Sequence, residues 1–188
     1  DSVPNYSPEV QSRMPHAWTS GTQVQLLRNQ VMNMKKGGTF VRVPPPNPYR
    51  CPPGPYERVS MIAHLFKQSN PNAKIIILDP KAKFSKMGLF TAGWEKHYPG
   101  MIEWIDPDTH GGIKSINAET MEFETDLDTF KADAACVVPG QRAGTIAQSA
   151  GVTEGDWAPI IPATMASKAD PNIYVLGDAS VASSMPKS

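Results

Sequence analysis

A cysteine in a proline-rich turn is the side chain of this sequence that is best placed for chemistry. Cys51 follows a β-like run over 39–43 and precedes an amphipathic helix pattern over about 55–68. The N-terminus of that helix and the neighbouring Arg50 and Arg58 favour a thiolate, which is the nucleophilic form of cysteine. Residue types alone also leave open an inert, partly buried thiol, the usual state of an isolated cysteine.

The turn around Cys51 stands where a nucleotide-binding βαβ unit places its phosphate loop. A dinucleotide fingerprint would read G-x-G-x-x-G there, because glycine lets the backbone approach a pyrophosphate. This turn has one glycine, Gly54, and several prolines, which lack the N–H donors that such a loop needs. Asp79 ends the next strand, where a Rossmann domain binds ribose, but without the glycine loop we do not expect NAD binding.

Composition and charge exclude several classes of protein. The chain has 188 residues with 18 basic and 18 acidic side chains, and its net charge is zero. We therefore expect no nucleic-acid partner and no anionic-membrane partner, and no apolar run is long enough to span a bilayer. The first residues lack the pattern of a signal peptide. The two cysteines and four histidines lack metal-ligand spacing, so we predict no metal site.

The hydrophobic pattern predicts an α/β fold with a Rossmann-like βαβ domain. Strand 39–43, helix 55–68 and a β-branched strand over 74–79 follow one another, as in a parallel βαβ unit. An aromatic stripe in the next segment indicates core. We expect the subsequent elements to be an antiparallel meander, a buried strand and a short helix; they cover 101–105, 112–116 and 120–125, then 131–139, then 143–150.

The two ends of the chain differ in character. Residues 1–20 are polar and irregular, and we expect a surface arm there. The apolar run 172–179 predicts a buried strand that leads into Gly177 and Asp178. At the carboxyl end of a strand, glycine lets the backbone approach a ligand and aspartate accepts hydrogen bonds from hydroxyl groups. This pair therefore indicates a cofactor site.

One idiosyncratic motif carries a family resemblance. The run 50–59, Arg-Cys-Pro-Pro-Gly-Pro-Tyr-Glu-Arg-Val, resembles the flavoprotein subunit of flavocytochrome c sulfide dehydrogenase. The resemblance extends over nearly the whole chain through 15–18, 139–144, 177–179 and 185–188. It implies a glutathione-reductase-like fold with two dinucleotide-binding domains, of which this chain is a part.

The resemblance also implies a domain organisation. Residues 1–20 correspond to a linker from the FAD domain, and 21–138 to a second dinucleotide-binding-like domain whose NAD fingerprint is lost. Residues 139–188 correspond to the return to the FAD-binding domain, without the C-terminal interface domain. The family's first FAD fingerprint and its cysteine for covalent FAD attachment are absent. We therefore expect FAD in the full-length parent and doubt that this part alone binds it or turns over.

The resemblance assigns site residues. Cys51 matches the family cysteine that forms a redox-active disulfide beside the flavin, and Glu57 matches an acidic residue that could accept a proton there. A helix dipole alone would also explain an acidic residue at Glu57. The FAD contacts implied by the match are Gly177 and Asp178 for the ribityl and phosphate end, and Met185, Pro186 and Lys187 for the stretch near the flavin ring.

The second family cysteine lies past the Met-Pro-Lys-Ser motif, beyond this sequence. Cys136 falls in a strand where the family pattern is apolar, so we interpret it as a core residue.

The implied activity is that of a periplasmic sulfide:cytochrome c oxidoreductase. Sulfide or polysulfide would be oxidised through the cysteine and FAD, and a c-type cytochrome subunit would accept the electrons. Two alternatives remain open from the residues: an NAD(P)H- or quinone-linked flavoenzyme of the disulfide-reductase type, and a non-catalytic docking domain for a cytochrome subunit. The proline-filled turn argues against the first of these.

Overall fold

The computed structural model of the protein describes residues 3–181. Within this range the chain forms two compact units. Unit 1 consists of residues 3–47 and 52–140, and unit 2 consists of residues 48–51 and 141–181. The short segment that contains Cys51 thus belongs to the same unit as the last part of the chain.

The described part of the chain contains both helices and short strands. The helices are α1 Pro8–Gln11, α2 Thr22–Met32, α3 Gly54–Ser69, α4 Met87–His97, α5 Pro107–His110 and α6 Thr145–Ser149. The strands are β1 Thr39–Val43, β2 Lys74–Leu78, β3 Ile102–Ile105, β4 Ile113–Asn117, β5 Glu122–Thr125, β6 Thr129–Lys131, β7 Ala134–Val137, β8 Ala158–Pro159 and β9 Ser180–Val181. A 3₁₀ turn covers Gly177–Ala179.

A parallel sheet of four strands, in the order β3-β2-β1-β7, forms the centre of unit 1. The β1–α3–β2 succession gives the predicted parallel pair, with Val41 opposite Ile76. Strand β7 pairs with the other edge of β1 and places Cys136 opposite Arg42. The central strands carry apolar residues on both faces, as expected for a parallel sheet that is covered on both sides.

Helices α2, α3 and α4 cover one face of this sheet with a single hydrophobic cluster. On α3, Ile62 and Phe66 are buried one helical turn apart. The rings of Tyr56 and Phe84 stack with centroids 3.7 Å apart, and the ring centroid of Trp94 lies 6.0 Å from that of Phe84. The prediction of an aromatic core in this segment is confirmed.

The other face of the sheet is covered by the meander and by the start of the chain. Successive strand residues point to opposite faces, so Phe40 faces the helices while Val41 faces this second cluster. Val10 and Met14 are buried in the same cluster. The expectation of a surface arm was therefore wrong for residues 3–20, because this segment supplies apolar side chains that the second face of a parallel sheet requires.

The meander is smaller than predicted. Strands β4, β5 and β6 form an antiparallel sheet, as expected for the segments 112–116 and 120–125. The segment 101–105 does not belong to it, since β3 pairs in parallel with β2. The predicted strand over 131–139 is divided: its first residue ends β6, and β7 returns to the parallel sheet.

Unit 2 has its own small core around Trp157, Ala147 and Val152. Strands β8 and β9 pair in parallel within it. The prediction of a buried strand over 172–179 was wrong: the segment makes one isolated bridge, and Tyr174 and Leu176 are 62% and 70% exposed. An apolar run is buried on both faces only where other elements cover both, and in unit 2 Ile173 and Val175 pack on one side only.

The predicted fold class is confirmed as a mixed α/β architecture with a parallel sheet and a separate antiparallel sheet. Within residues 3–181, no helix is both long enough and apolar enough to cross a membrane.

Candidate functional site

Cys51 is an exposed free thiol in unit 2. Its φ of 56° lies in the left-handed region, which costs a residue with a side chain roughly 1–3 kcal/mol. Such strain persists only where the surrounding contacts impose it, and it occurs preferentially at functional sites. The contacts of the preceding residue supply this restraint.

Arg50 connects the cysteine turn to the Gly-Asp turn. Its Nε donates to the carbonyl oxygen of Asp178, and its Nη2 donates to the carbonyl oxygen of Ser180 at 3.0 Å. Its guanidinium carbon lies 3.9 Å from the ring centroid of Trp157. The backbone N–H of Arg50 donates to Oε1 of Gln141 at 2.7 Å. The side chain is buried, and burial lowers the pKa of Arg50 while Asp178 opposes that shift.

Gly177 and Asp178 form the exposed part of this arrangement. Gly177 has a φ of 71°, and a Cβ built on it would meet no atom within 4 Å. The Asp178 carboxylate lies 3.7 Å from Arg50 Nε, and its side chain is 55% exposed. The turn therefore presents an open backbone and a carboxylate acceptor beside a buried cation, which suits the hydroxyl-bearing end of a cofactor.

The remaining predicted site residues either belong to unit 1 or lie outside the described part of the chain. Glu57 lies in the first turn of α3 in unit 1 and is exposed, in the position where the helix dipole favours an acidic residue. Met185, Pro186 and Lys187 lie outside the described residues. Among residues 3–181, no cluster of three or more histidine, cysteine or acidic side chains could hold a metal ion.

Asp79, the acidic residue that follows β2, is buried in the interior of unit 1. The carboxylate of Asp79 is fully buried, accepts hydrogen bonds from Tyr56 Oη at 2.6 Å and Trp104 Nε1 at 3.0 Å, and pairs with Lys81 Nζ at 2.7 Å. Burial lowers the pKa of Lys81, and Asp79 opposes that shift. The groups that a ribose would need are therefore already used by protein side chains.

A second polar cluster lies in unit 1 and was not singled out from the sequence. Arg42 is fully buried, and its Nη1 donates to Sγ of Cys136 on the neighbouring strand. Arg58 approaches the same sulfur at 3.7 Å and donates to the carbonyl oxygens of His16 and Ala17 at 3.2 and 2.8 Å. Cys136 is buried, in agreement with the core interpretation, but its neighbours are cationic.

A comparison with protein families matches residues 24–139 to the central part of the sulfide dehydrogenase (flavocytochrome c) flavoprotein chain. This match covers well over half of the sequence. The chain belongs to this family. Within the sulfide dehydrogenase flavoprotein match lie Cys51, Glu57 and Arg50, whereas Gly177 and Asp178 come after it.

Sequence reasoning missed the partners of Arg50. Nothing in the spacing relates Arg50 to Trp157 or Asp178, which are far along the chain, and the family match ends before both of them. Arg42 carried a signal that was available: a charged residue in the middle of an otherwise apolar parallel strand must be paired or functional.

Proposed function

We propose that the chain is part of a periplasmic sulfide:cytochrome c oxidoreductase, in which Cys51 and FAD carry electrons from sulfide to a c-type cytochrome subunit. Membership of the sulfide dehydrogenase flavoprotein family supports this proposal. The observation that carries it is the contact of Arg50 with the carbonyl oxygens of Asp178 and Ser180. Through this contact the residue next to Cys51 also fixes the turn that is suited to a flavin cofactor.

The reaction at Cys51 begins from a disulfide between Cys51 and a second cysteine of the complete protein. Hydrosulfide attacks Sγ of Cys51, a new sulfur–sulfur bond forms, and the bond to the partner cysteine breaks. The electron pair of that bond leaves on the partner sulfur as a thiolate, and Cys51 carries a persulfide. Exposure of Cys51 supports this role, because sulfide must reach the sulfur from solvent.

FAD would be held by Gly177 and Asp178, and by Met185, Pro186 and Lys187 by analogy with the family. The open backbone at Gly177 and the exposed carboxylate of Asp178 fit a ligand with hydroxyl groups. When bound, the flavin supplies an acceptor for two electrons that can release them singly to a haem. The hydrogen bonds from Arg50 to the carbonyl oxygens of Asp178 and Ser180 hold the backbone of this turn.

Glu57 is proposed to accept the proton released when hydrogen sulfide becomes a nucleophile. Its exposure allows exchange of that proton with solvent. Replacing Glu57 with glutamine should lower the rate of sulfide oxidation by about a hundredfold, the usual contribution of a general base. Glu95→Gln, at an exposed position of α4, is the matched control. Equal rates for the two variants would leave Glu57 as a helix-capping charge only.

The partial-chain organisation inferred from the resemblance is part of the proposal. Unit 2 exposes large apolar side chains, among them Ile146 at 84% and Leu176 at 70%. Apolar side chains in such number indicate a surface that another protein segment covers. We propose that the rest of the FAD domain covers them.

An NADH-linked activity receives no support from the site after β2. Asp79 is buried and engaged by Tyr56, Trp104 and Lys81, so it does not offer a ribose its carboxylate. Tight binding of NADH to the complete flavoprotein would contradict this argument.

The test uses the complete flavoprotein with its cytochrome subunit. In the Cys51→Ser variant we expect sulfide-dependent cytochrome reduction to fall by two orders of magnitude or more, roughly as when a nucleophile is removed. The visible flavin spectrum should persist, which shows that the fold and the cofactor are retained. An unchanged rate of cytochrome reduction would refute the role of Cys51.

A further inference from the structure

The pair of Arg42 and Cys136 joins β1 to β7, the last strand at one edge of the parallel sheet. The two residues are directly opposite each other on β1 and β7, so their side chains leave the sheet on the same face. Both are fully buried. The Cys136 thiol also donates to the carbonyl oxygen of His16 at 3.3 Å.

The cluster has positive charge without a matching carboxylate. Arginine stays protonated in proteins, and a buried cation requires compensation. Among the described residues no carboxylate forms an ion pair with Arg42, and its Nε and Nη2 atoms have no hydrogen-bond partner there. Arg58 adds a second guanidinium close to the same sulfur. The cluster therefore has unused donors that suit an anion.

We propose that Cys136 is a second sulfur-accepting site, which takes a sulfane sulfur from an inorganic polysulfide and holds it as a persulfide anion against Arg42. Cys136 is distinct from Cys51, which is exposed and lies in the other unit. The proposed function supplies the source of the sulfur, and in that respect this inference rests on it.

The geometry of a persulfide matches the free edge of the guanidinium. Arginine binds a carboxylate with two parallel N–H bonds, one to each oxygen. A sulfur–sulfur bond of about 2.05 Å separates two acceptor atoms by a similar distance. With Nη1 already on Sγ of Cys136, the adjacent Nη2 is the donor for the added terminal sulfur.

The transfer needs no external oxidant. Sγ of Cys136 attacks a sulfane sulfur of the polysulfide dianion and forms a new sulfur–sulfur bond. The bond between that sulfur and the rest of the polysulfide breaks, and its electron pair leaves on the shortened chain. The thiol proton ends on this leaving chain, which departs as hydrosulfide or a shorter hydropolysulfide, while the persulfide on Cys136 carries the remaining negative charge.

We expect the segment of His16 and Trp18, which packs against Arg42, Arg58 and Cys136, to control the access of polysulfide to Cys136. The ring centroid of Trp18 lies 5.6 Å from the guanidinium carbon of Arg42 and 5.4 Å from that of Arg58. His16 and Trp18 are partly exposed, and the carbonyl oxygen of His16 contacts the sulfur, so this segment connects the buried pair with the surface. We expect displacement of Trp18 to admit a small linear anion, and its return to shield the persulfide from thiols that would reduce it.

The experiment treats the complete flavoprotein with sodium tetrasulfide, alkylates it with iodoacetamide and maps the cysteine peptides by mass spectrometry. We expect the Cys136 peptide to carry one additional sulfur, and to do so also in the Cys51→Ser variant. In Arg42→Lys, which keeps the charge but loses the two parallel donors, occupancy should fall about tenfold, in line with one lost charge-assisted hydrogen bond. Thermal unfolding and alkylation of Cys136 in denaturant verify that this variant is folded and that its thiol is intact.

The outcomes separate this inference from the proposed function. A wild-type Cys136 peptide without extra sulfur, while Cys51 gains it, overturns the inference and leaves the proposed function standing. Equal occupancy in wild type and Arg42→Lys also overturns it. Extra sulfur on Cys136 together with unimpaired sulfide oxidation by Cys51→Ser would support the inference and refute the proposed role of Cys51. If Arg42→Lys does not fold, Arg58→Lys replaces it and should show a smaller fall.

Discussion

The guanidinium carbon of Arg50 lies 3.9 Å from the ring centroid of Trp157. In this position the aromatic face stabilises the cation while the nitrogen atoms remain free to donate sideways to the carbonyl oxygens of Asp178 and Ser180. Lysine has neither the planar group nor the fork of donors that this arrangement uses. The contact thus explains why an arginine precedes the cysteine.

Replacing Arg50 with lysine should weaken the link between the cysteine turn and the Gly-Asp turn. We expect a loss of about 2–3 kcal/mol in the free energy of unfolding, because the carbonyl groups of Asp178 and Ser180 lose charged donors, and a lower flavin content. Chemical denaturation and the flavin absorbance of the purified protein measure the two effects. Arg142→Lys, at an exposed position of the same unit, should change neither. Identical behaviour of the two variants would mean that the contact is dispensable.

Gly177→Ala separates flavin binding from stability. The positive φ of Gly177 makes alanine cost about 1 kcal/mol, and the open space around it removes any clash within the protein. If the cofactor approaches this backbone, the added methyl group should also lower flavin retention severalfold. Gly155→Ala has a similar φ of 61° and equally open surroundings, so it should show the strain alone. Parallel losses of flavin in both variants would argue against a cofactor at Gly177.

Asp79→Asn should destabilise unit 1 strongly. The substitution removes the negative charge beside the buried Lys81 and weakens the acceptor for Tyr56 and Trp104. We expect a loss of about 3–5 kcal/mol, as is typical when one member of a buried ion pair is removed. Asp108→Asn on the exposed start of α5 is the control, and equilibrium unfolding measures both. If Asp79→Asn lowered the free energy of unfolding by no more than Asp108→Asn does, the buried pair of Asp79 and Lys81 would contribute little to stability.

His16 should make stability depend on pH in mildly acidic solution. Burial, and secondarily Arg58, lower the pKa of His16, and its Nδ1 accepts a hydrogen bond from the backbone N–H of Trp18 at 3.0 Å. Below about pH 6.5 the unfolded chain takes up a proton that the folded state resists, so the free energy of unfolding falls as the pH is lowered through this window. His16→Asn retains an acceptor without titrating, and its unfolding free energy should depend less on pH there. A steeper dependence in the variant would contradict the assignment.

Local pattern predicted the elements of unit 1 well. Strand β1 was expected over 39–43 and occupies Thr39–Val43, and α3 differs from its prediction by a residue at each end. The β-branched run of β2 and the helical spacing of α3 express local preferences that the tertiary structure supports. Strand β3 was misplaced because a run of five residues, 101–105, does not reveal whether its neighbouring strand is parallel or antiparallel.

The candidate site was predictable only in part. Cys51 and Gly177 are recognisable from turn chemistry and family resemblance, whereas Arg50 and Asp178 are related by contacts across a separation of 128 residues. The exposure of Leu176 was missed because an apolar run indicates the presence of a covering element without identifying it. The positive cluster around Cys136 was missed because the partner of Arg42 lies 94 residues away on an adjacent strand.

The division of unit 2 between two distant parts of the sequence has a consequence for biosynthesis. Residues 48–51 leave the ribosome well before Trp157, Asp178 and Ser180, so Arg50 has none of these contacts while unit 1 is being made. Closing so long a loop is a late and slow event in folding. During that interval the nascent chain presents a reactive thiol without the contacts that later restrain it, and the cysteine turn gains this restraint only after Trp157, Asp178 and Ser180 have been synthesised.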